Sequence, residues 1–396
     1  MSPRILFIDH AAVMGGAEWS LLDVARHFAA GSRVVLFEDG PFRARLEAAG
    51  VGVEVLDAPA SVSRVRRQGG VLHDVRSLPG VLKLARQVAK RARGYDLLYA
   101  NSQKAFIVAA LAGRWARRPV VWQLRDLLTD AHFSDSHRRL VVRLANRWAA
   151  RVLANSEATA AAFVAGGGKA GKVRVVHNGI APEPFVSVER AEVGALRDEL
   201  GLRGVPIVGV FSRLAAWKGQ HVLLEALAAF PPDVHALLVG TALFEEEAYA
   251  ATLRRRAETL GLADRVHFLG FRDDIPALLH LVDVVVHTST APEPFGRVVV
   301  EGMLAGRPVV AAGAGGVLEI IEDGTTGLLV APGEAGALAQ AIDHLLSNPE
   351  TARTLADAGQ AAALERFSLA RMLAEIEHHL DALPKPPGRV WLVDTA

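Results

Sequence analysis

Short runs of β-branched and other apolar residues alternate with amphipathic stretches of helical length, and this alternation runs through the chain twice. The first series comprises Ile5–Ile8, Val34–Phe37, Val53–Leu56, Leu97–Ala100, Val120–Gln123, Val152–Ala154 and Val173–Val176. Runs that are apolar at successive positions, rather than at alternate ones, belong to strands buried on both faces, so they predict parallel sheets covered by helices. A Pro/Glu-rich break, Ala181-Pro182-Glu183-Pro184-Phe185, and a charged segment follow; the pattern then restarts at Ile207–Phe211, His235–Val239, Val266–Leu269, Asp283–His287 and Pro308–Ala311. The expectation is an α/β protein of two domains, bounded as 1–185 and 186–366, with a final helix at Leu369–Leu383 and a Pro-rich tail within 367–396. Polar residues gather where strands end: Asp9 and His10, Asn101 and Ser102, Arg125 and Asp126, Asn155 and Ser156, Ser212 and Arg213. In doubly wound sheets that edge is where ligands bind.

Composition removes several classes of function. With 51% hydrophobic and 22% charged residues the chain is globular, and no apolar run approaches the ~18 residues of a membrane span. The opening Arg4–Asp9 is too short an apolar stretch for a signal peptide and reads as a first strand, which predicts a cytoplasmic protein. The absence of cysteine rules out disulfides, thiolate metal sites and a cysteine nucleophile. The 14 histidines show no metal-ligand spacing, so neither a metal nor a cofactor is expected. Net charge is +1, yet residues 1–186 hold 27 Lys/Arg against 15 Asp/Glu, whereas 187–396 hold 17 against 28. The basic half is expected to meet something anionic. Its cations are densest from Arg64 to Arg93, where Asp74 is the sole acid; Val81, Leu84, Ala85 and Val88 form an apolar stripe beside Lys83, Arg86, Lys90, Arg91 and Arg93. This pattern suits first the solvated face of a sheet-covering helix, and second a peripheral contact with an anionic inner-membrane surface. Nothing beside the charge resembles a nucleic-acid recognition motif, so no nucleic-acid partner is expected.

The chemistry concentrates in the second half. Glu293 and Glu301 are separated by seven residues just after an apolar strand, with Pro292 and Pro294 disfavouring helix at Glu293 and a helix expected from about Gly296. One carboxylate then precedes the helix and the other rides it, a disposition suited to the hydroxyls of a sugar and a ribose, while free amides at the helix start can meet hydroxyls or phosphate. Arg213 and Lys218 follow the first strand of the second half, and two fixed cations behind a strand end suit a diphosphate. Gly15-Gly16 opens a helix after the first strand, where backbone can approach a ligand closely. It lacks the full GxGxxG pattern of a nicotinamide site. Gly270-Phe271-Arg272 forms a turn after a strand, and Gly313-Ala314-Gly315-Gly316-Val317-Leu318-Glu319 a flexible loop leading into a helix.

Taken in order, the Arg213/Lys218 pair, the loop after Gly270, the Glu293/Glu301 segment and the GGxxE element resemble glycosyltransferase family 4, the large retaining family of the GT-B fold. The resemblance spans residues 1 to about 380. It implies two facing Rossmann-like domains with an interdomain cleft, and metal-independent transfer of a hexosyl group, with retention, from a nucleoside-diphosphate sugar to an acceptor hydroxyl in bacterial glycan or glycolipid synthesis. A UDP-sugar is the favoured donor and a GDP-sugar the alternative; the acceptor, held by the first domain, would be anionic or lipid-linked. By that resemblance Arg213 and Lys218 bind the pyrophosphate, Phe271 and Arg272 flank the base, Glu301 holds the ribose, and Glu293 contacts the transferred sugar with the Phe295 and Gly296 amides. Gly15 and Gly16 offer backbone amides to the phosphates. Arg125 stands where many members carry a histidine, followed by Asp126; both are carried as catalytic candidates. An arginine stays cationic and cannot serve as a base. Trp19 replaces the arginine that often follows the GGAE element. Two other readings of the same fold are a nucleotide-sugar 2-epimerase and a non-catalytic nucleotide-sugar-binding partner.

Overall fold

The computed structural model describes residues 3–56, 71–130, 133–243 and 246–384. Two compact units divide between Gly179 and Ile180, and residues 370–384 return to the first.

The first unit holds β1 (Ile5–Asp9), β2 (Arg33–Leu36), β3 (Val53–Val55), β4 (Leu97–Ala100), β5 (Val120–Leu124), β6 (Arg151–Ala154) and β7 (Val173–Val175). They form one parallel sheet in the order β3-β2-β1-β4-β5-β6-β7. The order reverses between β1 and β4, and the crevice left there at the strand ends is where such sheets receive ligands. Trp122 of β5 stacks on Phe106, ring centroids 4.4 Å apart, deep in the core. The helix Leu369–Asp381 packs on this unit: Met372 Sδ meets Ser20 Oγ at 3.8 Å and the Gly179 amide at 3.0 Å.

The second unit holds β8 (Ile207–Phe211), β9 (His235–Val239), β10 (Val266–Gly270), β11 (Val284–His287), β12 (Val309–Ala312) and β13 (Leu328–Val330), parallel in the order β10-β9-β8-β11-β12-β13. Its reversal lies between β8 and β11. Successive side chains of β8 enter opposite cores, because a strand's side chains alternate between faces. Ile207 and Phe211 pack with Val299, Val300 and Met303 of the helix Arg297–Leu304. Val208 and Val210 pack with Leu223 and Leu224 of the helix Gln220–Leu227 and with Leu338 and Ile342. Burial on both faces explains why these strands read as unbroken apolar runs.

Two elements differ from expectation. The strand β13, at the edge of the second sheet, was not anticipated. The segment after Gly313 enters a 3-10 turn, Gly316–Glu319, rather than an α-helix, and it is pinned rather than free: the Gly316 amide donates to Glu293 O at 2.8 Å.

The connection after β8 is fastened to the one after β11. Thr288 Oγ1 donates to Lys218 O at 2.8 Å and the Thr290 amide to Trp217 O at 2.8 Å. Gly219 sits at the seam with φ +70°, and a Cβ there would lie 2.0 Å from Thr288 O. Gly261 has nearly the same φ, +69°, with open space around it. The left-handed backbone is common to both, about 1–2 kcal/mol for an L-residue, so their difference isolates the seam. We expect Gly219→Ala to destabilise the protein by at least about 2 kcal/mol more than Gly261→Ala in urea unfolding. Equal losses would mean the two loops are not rigidly joined.

Candidate functional site

At the C-terminal edge of the second sheet, one carboxylate oxygen gathers three groups. Lys218 Nζ donates to Glu293 Oε2 at 2.6 Å, Ser289 Oγ donates to it at 3.0 Å, and His287 Nε2 lies 3.3 Å away. Local sequence explains the convergence. β11 ends at His287, which places Ser289 two residues beyond the sheet, and the Pro292/Pro294 pair keeps Glu293 in extended backbone bridged to Gly315. Lys218 arrives from the short turn Ala216–Lys218 after β8. The Lys218 and Glu293 side chains are only 15% and 12% exposed. Burial works against the Glu293 charge, but the Lys218 ammonium and the His287 hydrogen bond overcome it and hold the carboxyl well below the usual range.

The other second-unit candidates lie in varied settings. Arg213 and Lys218 both address the Trp217 ring, at 5.6 and 4.2 Å from its centroid. The β8 loop is braced from beneath by buried Gln220, whose Nε2 donates to Ser212 Oγ and Arg213 O, each at 2.9 Å. Gly296, at φ +109°, precedes the helix that carries Glu301. Glu301 is paired with Arg297 one turn earlier, at 3.2 Å. The Phe295 ring is buried against Phe367. Phe271 is 57% exposed, whereas Arg272 is engaged by Asp274 (2.8 Å) and by Glu199 (3.8 Å).

At the β1/β4 crevice of the first unit, Asn101 Nδ2 donates to fully buried Asp9 at 2.6 Å, and His10 Nδ1 contacts both Asp9 Oδ1 (3.2 Å) and Ser102 Oγ (2.8 Å). Arg125 spans this cluster, with Nε donating to Asn101 Oδ1 at 2.7 Å and Nη1 to Asn178 Oδ1 at 2.8 Å. Asp126 accepts instead from Gln103 Nε2 at 3.1 Å. Gly15 is half-buried and Gly16 exposed at the start of the helix Gly16–His27. The buried Glu18 carboxyl turns back onto that helix start, and a Cβ on Gly15 would lie 2.8 Å from it. Trp19, at the position after the GGAE element, lies against the Arg45 guanidinium, 4.9 Å from its ring centre.

In the basic segment, the stripe Leu84, Ala85 and Val88 is fully buried on the helix Val71–Ala92, leaving Lys83, Arg86, Lys90 and Arg93 exposed. Arg91 is not part of that exposed set, because it is held by Glu54 of β3. Arg64, Arg66 and Arg67 lie outside the described residues.

His287, Thr288, Ser289 and Gln220 were not singled out from sequence. The first three follow the rule already applied to Asp9 and Asn101, since they are polar residues at the end of an apolar strand; Gln220 carries no such signal.

Comparison with known proteins fits this geometry. Residues 195–362 match the family profile "Glycosyl transferases group 1", and residues 15–179 match "Glycosyl transferase 4-like domain". The Anabaena protein HepE, solved in complex with UDP and glucose and with UDP-glucose, is 44% and 43% identical in the two structures. Each match covers 96% of this chain and 100% of that one, with TM-score 0.88. The putative glycosyltransferase EpsD of Bacillus subtilis is 36% identical over 52% of this chain, and the lipopolysaccharide core biosynthesis glycosyltransferase LpsE of Rhizobium meliloti is 33% identical over 50%. The chain spans about half the length of these curated relatives, 54% of each. The chain belongs to the GT-B glycosyltransferases of the family 4 type.

The first-unit cluster carries a pH signature. Burial, reinforced by the neighbouring Asp9 charge, raises the Glu18 carboxyl from 4.5 to about 8. For Asp9, burial is outweighed by His10 and Asn101, and its carboxyl stays below its ordinary value. Glu18 thus keeps in the folded state a proton that the unfolded chain releases, so its contribution to stability is present below about pH 4.5 and is lost as pH rises towards 8. Glu18→Gln has no such proton. The melting-temperature difference between Glu18→Gln and wild type should grow in the variant's favour from pH 5 to pH 8; a constant difference would contradict a buried neutral acid.

Proposed function

We propose that this chain transfers a hexosyl group, with retention of configuration, from a UDP-sugar to an acceptor hydroxyl. The observation that carries the reading is the convergence of Lys218 and Glu293 at the β8/β11 reversal. A cation suited to diphosphate and a carboxylate suited to sugar hydroxyls stand there 2.6 Å apart. HepE, similar over nearly the whole chain and solved with UDP-glucose, supports UDP as the nucleotide.

In this reading Glu301 accepts from the ribose hydroxyls, Phe271 and Arg272 flank the base, and the Phe295 and Gly296 amides assist Glu293 at the sugar. As the anomeric C–O bond breaks, its electron pair withdraws onto the diphosphate, where Lys218 and Arg213 stabilise the growing charge. The acceptor oxygen bonds to the anomeric carbon on the face the diphosphate leaves, and a phosphate oxygen takes the acceptor's proton. These two cations supply the charge neutralisation for which other transferases recruit a divalent metal. Gly15, Gly16, Arg125 and Asp126 are the first-unit groups assigned to the diphosphate and acceptor. The name of LpsE, a lipopolysaccharide core biosynthesis glycosyltransferase, supports a bacterial glycan or glycolipid as product.

Calorimetric titration tests the donor site. UDP and UDP-glucose should bind equally well with and without EDTA, and Lys218→Ala and Glu301→Ala should weaken UDP by about 10–100-fold, the range for loss of hydrogen bonds to charged groups. Glu293→Ala should lower turnover more than UDP affinity. With water as acceptor, proton NMR should find the first glucose released from UDP-α-glucose in the α form. Release of β-glucose would contradict retention, and unchanged UDP binding in both alanine variants would remove the site.

We further propose that Lys83, Arg86, Lys90 and Arg93 give the first unit a peripheral attraction to anionic membrane, a reading supported by their shared exposed face. No helix among the described residues is long and apolar enough to cross a membrane. Co-sedimentation with phosphatidylglycerol vesicles at low salt should fall several-fold when the four are replaced by glutamine; equal binding by both proteins would dismiss the contact.

A further inference from the structure

His287 occupies the last position of β11, with its side chain 4% exposed. Its Nε2 reaches two oxygens, Glu293 Oε2 at 3.3 Å and Ser289 Oγ at 3.1 Å, while its Nδ1 is buried with no hydrogen-bond partner. That asymmetry selects a tautomer. A bare nitrogen lone pair is cheaper to bury than an unpaired N–H, so the proton belongs on Nε2, directed at the carboxylate. Ser289 donates to the same oxygen. All three side-chain contacts of Glu293 therefore fall on Oε2, and Oε1 receives no hydrogen bond from the described residues. A carboxylate offers lone pairs on both oxygens, so one is anchored and the other is presented.

Resting on the donor-site reading above, we propose that His287, together with Ser289, is the positioning residue for Glu293, holding Oε2 so that Oε1 accepts from a hydroxyl of the transferred sugar. Lys218 cannot fill this role throughout, because the same ammonium is assigned to the diphosphate. When it turns there, Glu293 loses its closest partner, and the donors from β11 and the following loop keep the carboxylate in place. His287 touches neither nucleotide nor sugar in this account and acts through Glu293 alone.

The test separates the sugar from the nucleotide. UDP-glucose and UDP are titrated into wild type, His287→Leu, His287→Gln and Ser289→Ala. Leucine keeps the buried volume and removes the donor; glutamine restores one. We expect His287→Leu to weaken UDP-glucose about tenfold while UDP changes less than twofold, His287→Gln to recover most of that loss, and Ser289→Ala to show a smaller loss of the same selectivity. Equal weakening of both ligands, or no weakening of either, would overturn the positioning role even if the variants fold normally. A wild type that binds neither ligand would instead bring down the donor-site reading itself, and the role of His287 with it.

Discussion

The second unit is organised around a negative charge that burial alone would expel. Glu293 lies at the end of a parallel sheet among side chains that leave it little water, and isolated there its carboxyl would take up a proton. The Lys218 ammonium 2.6 Å away reverses the balance. The pair requires two loops, one from each side of the strand-order reversal, to be held in fixed register. Backbone and side-chain hydrogen bonds between Thr288, Thr290, Trp217 and Lys218 supply that register. Breaking such a pair leaves the remaining charge uncompensated, typically about 3–5 kcal/mol. A ligand that draws Lys218 away must therefore offer it a stronger partner, and a diphosphate does.

The first unit solves a related problem with different chemistry. Its crevice also buries carboxylates, but here the main relief is neutralisation and hydrogen bonding. Glu18 keeps its proton, and Asp9 is satisfied by Asn101 and His10. Arg125 lends its charge to this cluster while its guanidinium ties Asn101 to Asn178. The excess of basic residues in this half of the sequence is therefore partly structural, as Arg91 with Glu54 also illustrates.

Much of this was legible in the sequence because the relevant signals are local. Strands buried on both faces are apolar throughout, so their positions showed directly; the prolines flanking Glu293 fixed its loop, and the end of each strand marked where polar residues matter. The unread part depends on contacts between distant segments. That Arg91 finds Glu54, that Arg125 joins Asn101 and Asn178, or that Gln220 braces the turn after β8 depends on which loops become neighbours, and no spacing rule contains it. His287 is an intermediate case. It was visible as the polar end of an apolar strand, yet its partner Glu293 lies beyond a proline-interrupted loop whose path the sequence does not specify.

The most direct test of the central claim is a crystal structure of the protein with UDP bound. The diphosphate should lie beside the β8/β11 reversal, with Lys218 Nζ within about 3 Å of a phosphate oxygen and Glu293 Oε2 still held by His287 and Ser289. UDP bound elsewhere, with the Lys218–Glu293 pair undisturbed, would contradict it.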